Sequence, residues 1–178
     1  VGSEMCIRDR LSIRLEEGAV LSHERPRTLN PIIKRQVEEQ LQKWLIQGII
    51  SRCDGFPRHS SCLVPVLKKD NSVRVAIDFR ALNANCTPQV YPVSNITEAL
   101  GALAGNSLYS VLDGSNAYLG VELDDESKSL AAISTTIGSF YFNRMAFGQQ
   151  GATQTYSAAI AQALSKLPEN CAVPYLSL

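Results

Sequence analysis

Tyr109-Ser110-Val111-Leu112 is an apolar, β-rich run that ends on a single carboxylate, Asp113. A short apolar run of this kind reads as a buried strand. It predicts a strand over 107–113 with Asp113 at its end, and an aromatic, Tyr118, follows five residues later. A strand needs neighbours to be stable, and the chain offers several. Leu63-Val64-Pro65-Val66-Leu67 and Val73-Arg74-Val75-Ala76-Ile77 form two runs, with Lys68-Lys69-Asp70-Asn71-Ser72 as a hairpin tip between them. Residues 131–137 and 139–145 alternate around Gly138, and Ala172 to Tyr175 begins a last strand.

Helices are marked just as plainly. Asn30-Pro31 supplies an N-cap and a proline at the first helical position. Ile33, Val37, Leu41, Trp44 and Leu45 recur at helical spacing until Gly48. A helix is predicted over 94–104 with Ser94 as its cap, a short one from Asp124 to Leu130, and an alanine-rich one over 151–167. Residues 11–30 read as polar and irregular, with Pro26 and Pro31 as breakers.

The 178 residues suit one domain, or one and a part. A net charge of zero hides a split. Residues 51–90 carry Arg52, Arg58, Lys68, Lys69, Arg74 and Arg80 against three acids, whereas residues 91–178 carry Lys128, Arg144 and Lys166 against seven. Cations suit phosphates and carboxylates suit metals, although surface variation produces splits of this size too. No apolar run has the length of a membrane helix. The five cysteines are scattered, without a CxxC pair, and His23 and His59 stand alone; no zinc site is predicted, and a reduced, cytosolic setting fits.

Three segments taken together carry a resemblance. Val73-Arg74-Val75-Ala76-Ile77-Asp78-Phe79-Arg80-Ala81-Leu82-Asn83, the run through Asp113 and Tyr118, and Met145-Ala146-Phe147-Gly148 occur in that order. From about Pro26 to Tyr175 the chain resembles the reverse transcriptase of LTR retrotransposons of the gypsy type. The resemblance implies an α+β fold of right-hand polymerase fingers and palm, the palm sheet ferredoxin-like or RRM-like with packed helices, without a thumb. It implies template-directed DNA synthesis from dNTPs on an RNA or DNA template with primer, using Mg2+ or Mn2+ bound by Asp113, and a cytoplasmic retroelement particle. Oligomeric state is left open.

The resemblance also distributes roles. Asp113 would hold both ions of a two-metal centre. Tyr118 would lie under the sugar and exclude a 2′-hydroxyl, with small Ala117 beside it and the Gly114 backbone near the triphosphate; a packing tyrosine is the alternative. Lys68 and Arg74 would meet phosphates, one as a point charge and the other as a planar fork, or would be ordinary surface charges. Phe147 and Gly148 would line the nucleotide side. Gln149, Gln150 and Gly151 would lie near the template, and Asp78 and Arg80 would brace strand against palm or touch template. Thr153 departs from the proline usual there, and Gln149-Gln150 from the common Leu-Thr. Leu123-Asp124-Asp125 imitates the family's aspartate pair but reads as acids at a helix start.

Both ends resemble something else. Val1-Gly2-Ser3-Glu4-Met5-Cys6-Ile7-Arg8-Asp9 resembles a translated sequencing adapter, and Leu176-Ser177-Leu178 resembles its other strand. The organisation expected is therefore 1–10 adapter-like, 11–30 irregular, 31–106 fingers and their link to the palm, 107–175 palm, and 176–178 adapter-like, with part of 119–150 packing on the fingers. The aspartate pair that the family has beyond Tyr175 is absent, so the chain alone is expected to be inactive. The alternatives are a non-LTR or intron-type reverse transcriptase, and a non-catalytic nucleic-acid-binding remnant.

Overall fold

A computed structural model describes residues 10–89, 96–111, 116–167 and 172–173. It is a mixed α+β structure built on a five-stranded sheet. The elements in chain order are β1 Arg10–Leu11, α1 Pro31–Ile46, β2 Ile50–Arg52, β3 Ser60–Leu67, β4 Val73–Asp78, α2 Arg80–Asn83 and α3 Ile96–Leu103. A 3-10 turn Ala117–Gly120 follows, then β5 Glu122–Leu123, α4 Asp125–Leu130, β6 Ala132–Thr135, β7 Gly138–Phe142 and α5 Ala152–Leu164. The sheet runs β2-β7-β6-β3-β4. Within this sheet β3 and β6 pair in parallel, through Ser60↔Ala132 to Cys62↔Ser134, and the other neighbours pair antiparallel.

Local chemistry explains most boundaries. The Asn30 side chain accepts the Ile32 amide at 2.9 Å, which starts α1 beside Pro31. Gly48, at φ +67, lets the chain leave the helix in the left-handed region. Val37 and Leu41 on α1 are buried, and Trp44 meets Phe142 of β7 with ring centroids 5.7 Å apart. Phe79 completes this group 6.5 Å from Phe142. The fully buried Leu41, Ile50, Leu82, Leu123, Leu130, Ile133, Phe140, Phe142 and Met145 join one core.

β4 turns successive side chains to opposite faces of the hairpin. Val73, Val75 and Ile77 pack against the core, and Arg74 is exposed. Asn71 turns the tip at φ 60, and the Asp70 carboxylate accepts both the amide and the hydroxyl of Ser72.

One expectation is extended and another corrected. Beyond Leu11, residues 12–30 are irregular apart from two isolated bridges, but the lead is not all polar. β1 pairs in parallel with β5, Leu11 is fully buried and Ile13 nearly so. The Ile13 amide donates to Ser127 Oγ at 2.7 Å, Leu15 bridges Cys86, and His23 bridges Ser60. Alternate apolar residues in a polar segment gave this strap its buried side. Arg10, grouped with the adapter-like residues, is the first residue of β1 and pairs with Glu122 at 3.5 Å.

The strand predicted over 107–113 is not formed in its described part. Residues 107–111 have no ladder partner among the described residues, and Leu108 and Val111 are more than nine-tenths exposed. A strand is held by its neighbours, and Ala172 and Val173, the described part of the neighbour expected, carry no regular structure. The Tyr109 hydroxyl instead donates to the Leu103 and Asn106 carbonyls behind α3. Asp113, Gly114, Ser94 and Tyr175 lie outside the described residues.

Candidate functional site

Residues far apart in sequence meet in one row. Arg74, from the middle of β4, holds its guanidinium carbon 5.5 Å from the centroid of the Phe147 ring. Phe147 meets Tyr118 edge-on, at 4.9 Å and 86°. Tyr118 in turn meets Tyr156 of α5 at 5.5 Å and 67°. The row runs from a cation through three rings, and Phe147 is 45% exposed. Edge-to-face rings suit the aromatic quadrupole, and a guanidinium over a ring is drawn by the same field.

Tyr118 reaches the row from the 3-10 turn that opens at half-buried Ala117. Asn116 enters that turn in the left-handed region, at φ 52 and ψ 39. Phe147 stands on the loop between β7 and α5, which Asn83 clamps. The Asn83 amide donates to the Gly148 carbonyl at 2.7 Å, and its oxygen accepts the Gln150 amide at 2.9 Å. Gly151 begins α5 at φ +80, and a Cβ there would come within 2.8 Å of the Gln89 side chain. Gln149 is turned inward: its Oε1 accepts the Ala146 amide at 2.8 Å, and its Nε2 is buried without a partner among the described residues.

Lys68 sits exposed at the hairpin tip, outside the row. Asp78 and Arg80 form a fork, with Nε and Nη2 donating at 2.8 and 2.6 Å, and Arg27 approaches Asp78 at 3.6 Å. The Arg80 hydrogen bonds, the first cause, hold the Asp78 carboxyl down at about 2. This pair braces the end of β4 to the start of α2.

The acidic decoy is accounted for by α4. Asp124 caps the helix by accepting the Ser127 amide at 2.8 Å, and Asp125 pairs with Lys128 at 2.6 Å. Burial works to raise the Asp124 carboxyl, but hydrogen bonds from Ser127 and Ser12 outweigh it and leave it low. No cluster of three His, Cys, Asp or Glu side chains able to hold a metal occurs among the described residues. No helix among them is long and apolar enough to cross a membrane. Cys53, Cys62 and Cys86 are free thiols.

Asn83, Thr153 and Tyr156 were not singled out as site residues from sequence. Asn83 reads there as part of a longer motif. Thr153 and Tyr156 carry a weak signal in their three-residue spacing on a predicted helix, which gives two side chains one face.

No family model matches the chain. It is 34% identical over 145 residues to the retrovirus-related Pol polyprotein from transposon 297 of Drosophila melanogaster, covering 79% of this chain. It is 26% identical over 145 residues, again 79% of this chain, to that from transposon 412 of the same organism. The chain spans 14% and 12% of those polyproteins. Among solved structures, prototype foamy virus protease-reverse transcriptase superposes with a TM-score of 0.74 at 18% identity, over 87% of this chain and 21% of that one. That last likeness is one of fold. The relatives of this chain are retroelement Pol polyproteins.

Proposed function

We propose that this chain is the fingers and part of the palm of a reverse transcriptase, of the gypsy type of LTR retrotransposon. Its parent extends a DNA primer on an RNA or DNA template from dNTPs, in a cytoplasmic retroelement particle. The observation that carries the reading is the row Arg74–Phe147–Tyr118, in which three residues singled out separately for nucleotide contact stand together. The kinship with Pol polyproteins supports it.

In this reading Arg74 offers the exposed edge of its guanidinium to phosphate oxygens while Phe147 supports its face. Lys68 adds a charge from the mobile end of a long side chain at the hairpin tip. Tyr118 lies against the sugar and rejects a 2′-hydroxyl by contact. Asn83 keeps the Gly148–Gln150 backbone, and with it Phe147, at a fixed height. Asp78 and Arg80 hold the root of β4.

Magnesium or manganese would supply charge neutralisation and an activated 3′-hydroxyl. The chain's candidate ligand for it is Asp113, one carboxylate, and the described residues do not furnish a two-metal donor set.

The test is primer extension by a Pol polyprotein carrying this segment. Arg74→Ala should lower kcat/KM for dNTPs by about 1–3 kcal/mol, the scale of a lost charged hydrogen bond, mostly through KM. Unchanged dNTP kinetics would overturn the phosphate role.

A further inference from the structure

Tyr118 is gripped from three sides, and two of the grips come from a single turn of α5. Phe147 and Tyr156 meet its ring edge-on. Its hydroxyl lies 3.3 Å from Thr153 Oγ1. Thr153 and Tyr156 share one helix face by their spacing. Ser157 Oγ donates to the Thr153 carbonyl at 2.8 Å, which ties down the same turn. The start of α5 is anchored in turn through Gln150 to Asn83.

These grips do different things. Neighbouring rings fix where the tyrosine ring stands. They limit its turning about its own long axis, but leave the tilt of that axis, which χ1 sets, to be held at the far end. The hydroxyl is the atom farthest from the backbone, so a bond there acts on the longest lever. A gate that works by steric repulsion depends on that position, and an ångström of misplacement can cost on the order of a hundredfold.

We propose that Thr153 is a positioning residue for sugar discrimination: its hydroxyl tethers the Tyr118 hydroxyl and so fixes the ring that rejects ribose. This rests on the reading of Tyr118 as the sugar gate. Proline, usual at this position in the enzymes the chain resembles, has no hydroxyl to offer. The tether is therefore specific to sequences that carry a hydroxyl here.

The experiment compares primer extension with a dNTP and the matching rNTP, in a Pol polyprotein carrying this segment. Thr153→Val should raise the rNTP to dNTP ratio of kcat/KM about three- to ten-fold, the equilibrium worth of a neutral hydrogen bond, chiefly by lowering KM for the rNTP. Tyr118→Phe should raise it equally, the double variant should add nothing further, and Thr153→Ser should restore the original ratio. If Thr153→Val does not fold, Thr153→Ala and Tyr118→Phe carry the same comparison. A Thr153 that merely stabilises α5 would depress both substrates together and leave the ratio alone, which overturns the tether. If Tyr118→Ala raises the ratio while Thr153→Val and Tyr118→Phe do not, the tether falls and the gate stands. If Tyr118→Ala leaves the ratio unmoved, or the parent enzyme extends no primer, the gate reading itself falls.

Discussion

Arg74 and Phe147 lie on different elements, and the guanidinium carbon of one stands 5.5 Å from the ring centroid of the other. The contact ties the hairpin to the β7–α5 loop without a salt bridge. A double-mutant cycle with Arg74→Met and Phe147→Leu, read by urea unfolding, should return a coupling of about 0.5–1 kcal/mol. Zero coupling would mean that the two groups do not stack in solution.

The Asp78–Arg80 fork should show in acid. The folded Asp78 carboxyl is lowered from its ordinary 3.8 to about 2, first by the Arg80 hydrogen bonds. It holds its proton less tightly when folded than when unfolded. Its contribution is therefore complete above about pH 4 and is lost as pH falls through about 2. Asp78→Asn should flatten the pH dependence of the urea midpoint in that window, and a curve parallel to the parent's would refute the pair's role.

Gly151 should tolerate no side chain. At φ +80 an alanine is strained, and its Cβ would press on Gln89, whose Nε2 donates to the Ser12 carbonyl at 2.8 Å. Gly151→Ala should cost about 1–2 kcal/mol from the backbone alone, with further loss from the displaced bond. Adding Gln89→Ala should relieve the clash and leave the backbone term, measurable as a partial recovery of the melting temperature.

Asp124 should behave as a cap. Asp124→Ala should destabilise by about 1 kcal/mol, and Asp124→Asn, which keeps an acceptor, by much less. Equal losses in thermal unfolding would point to its charge instead of its hydrogen bond to Ser127.

Much of this was legible in the sequence where a local signal sufficed. Asn30-Pro31 and Gly48 bounded α1. Two β-rich runs around a polar tip gave the β3–β4 hairpin, and Asp124-Asp125 read as a helix start. What local signals cannot carry is partnership. The run before Asp113 has strand composition, yet its described residues find no ladder. Leu11 and Ile13 look unremarkable until β5 and Ser127 arrive to cover them. The same holds at the row of rings. Tyr118 was marked by its distance from Asp113, but Thr153 and Tyr156 matter only because α5 folds back beside it.

The strap formed by Leu11 and Ile13 also sets a timetable. Ile13 waits for a hydroxyl 114 residues downstream. At roughly 5–20 residues per second, a ribosome takes on the order of ten seconds to deliver it. During synthesis Leu11 and Ile13 are therefore greasy and uncovered while the β3–β4 hairpin can already zip. Within this segment an early stretch is among the last sealed, and that interval is when a holding chaperone would find its grip.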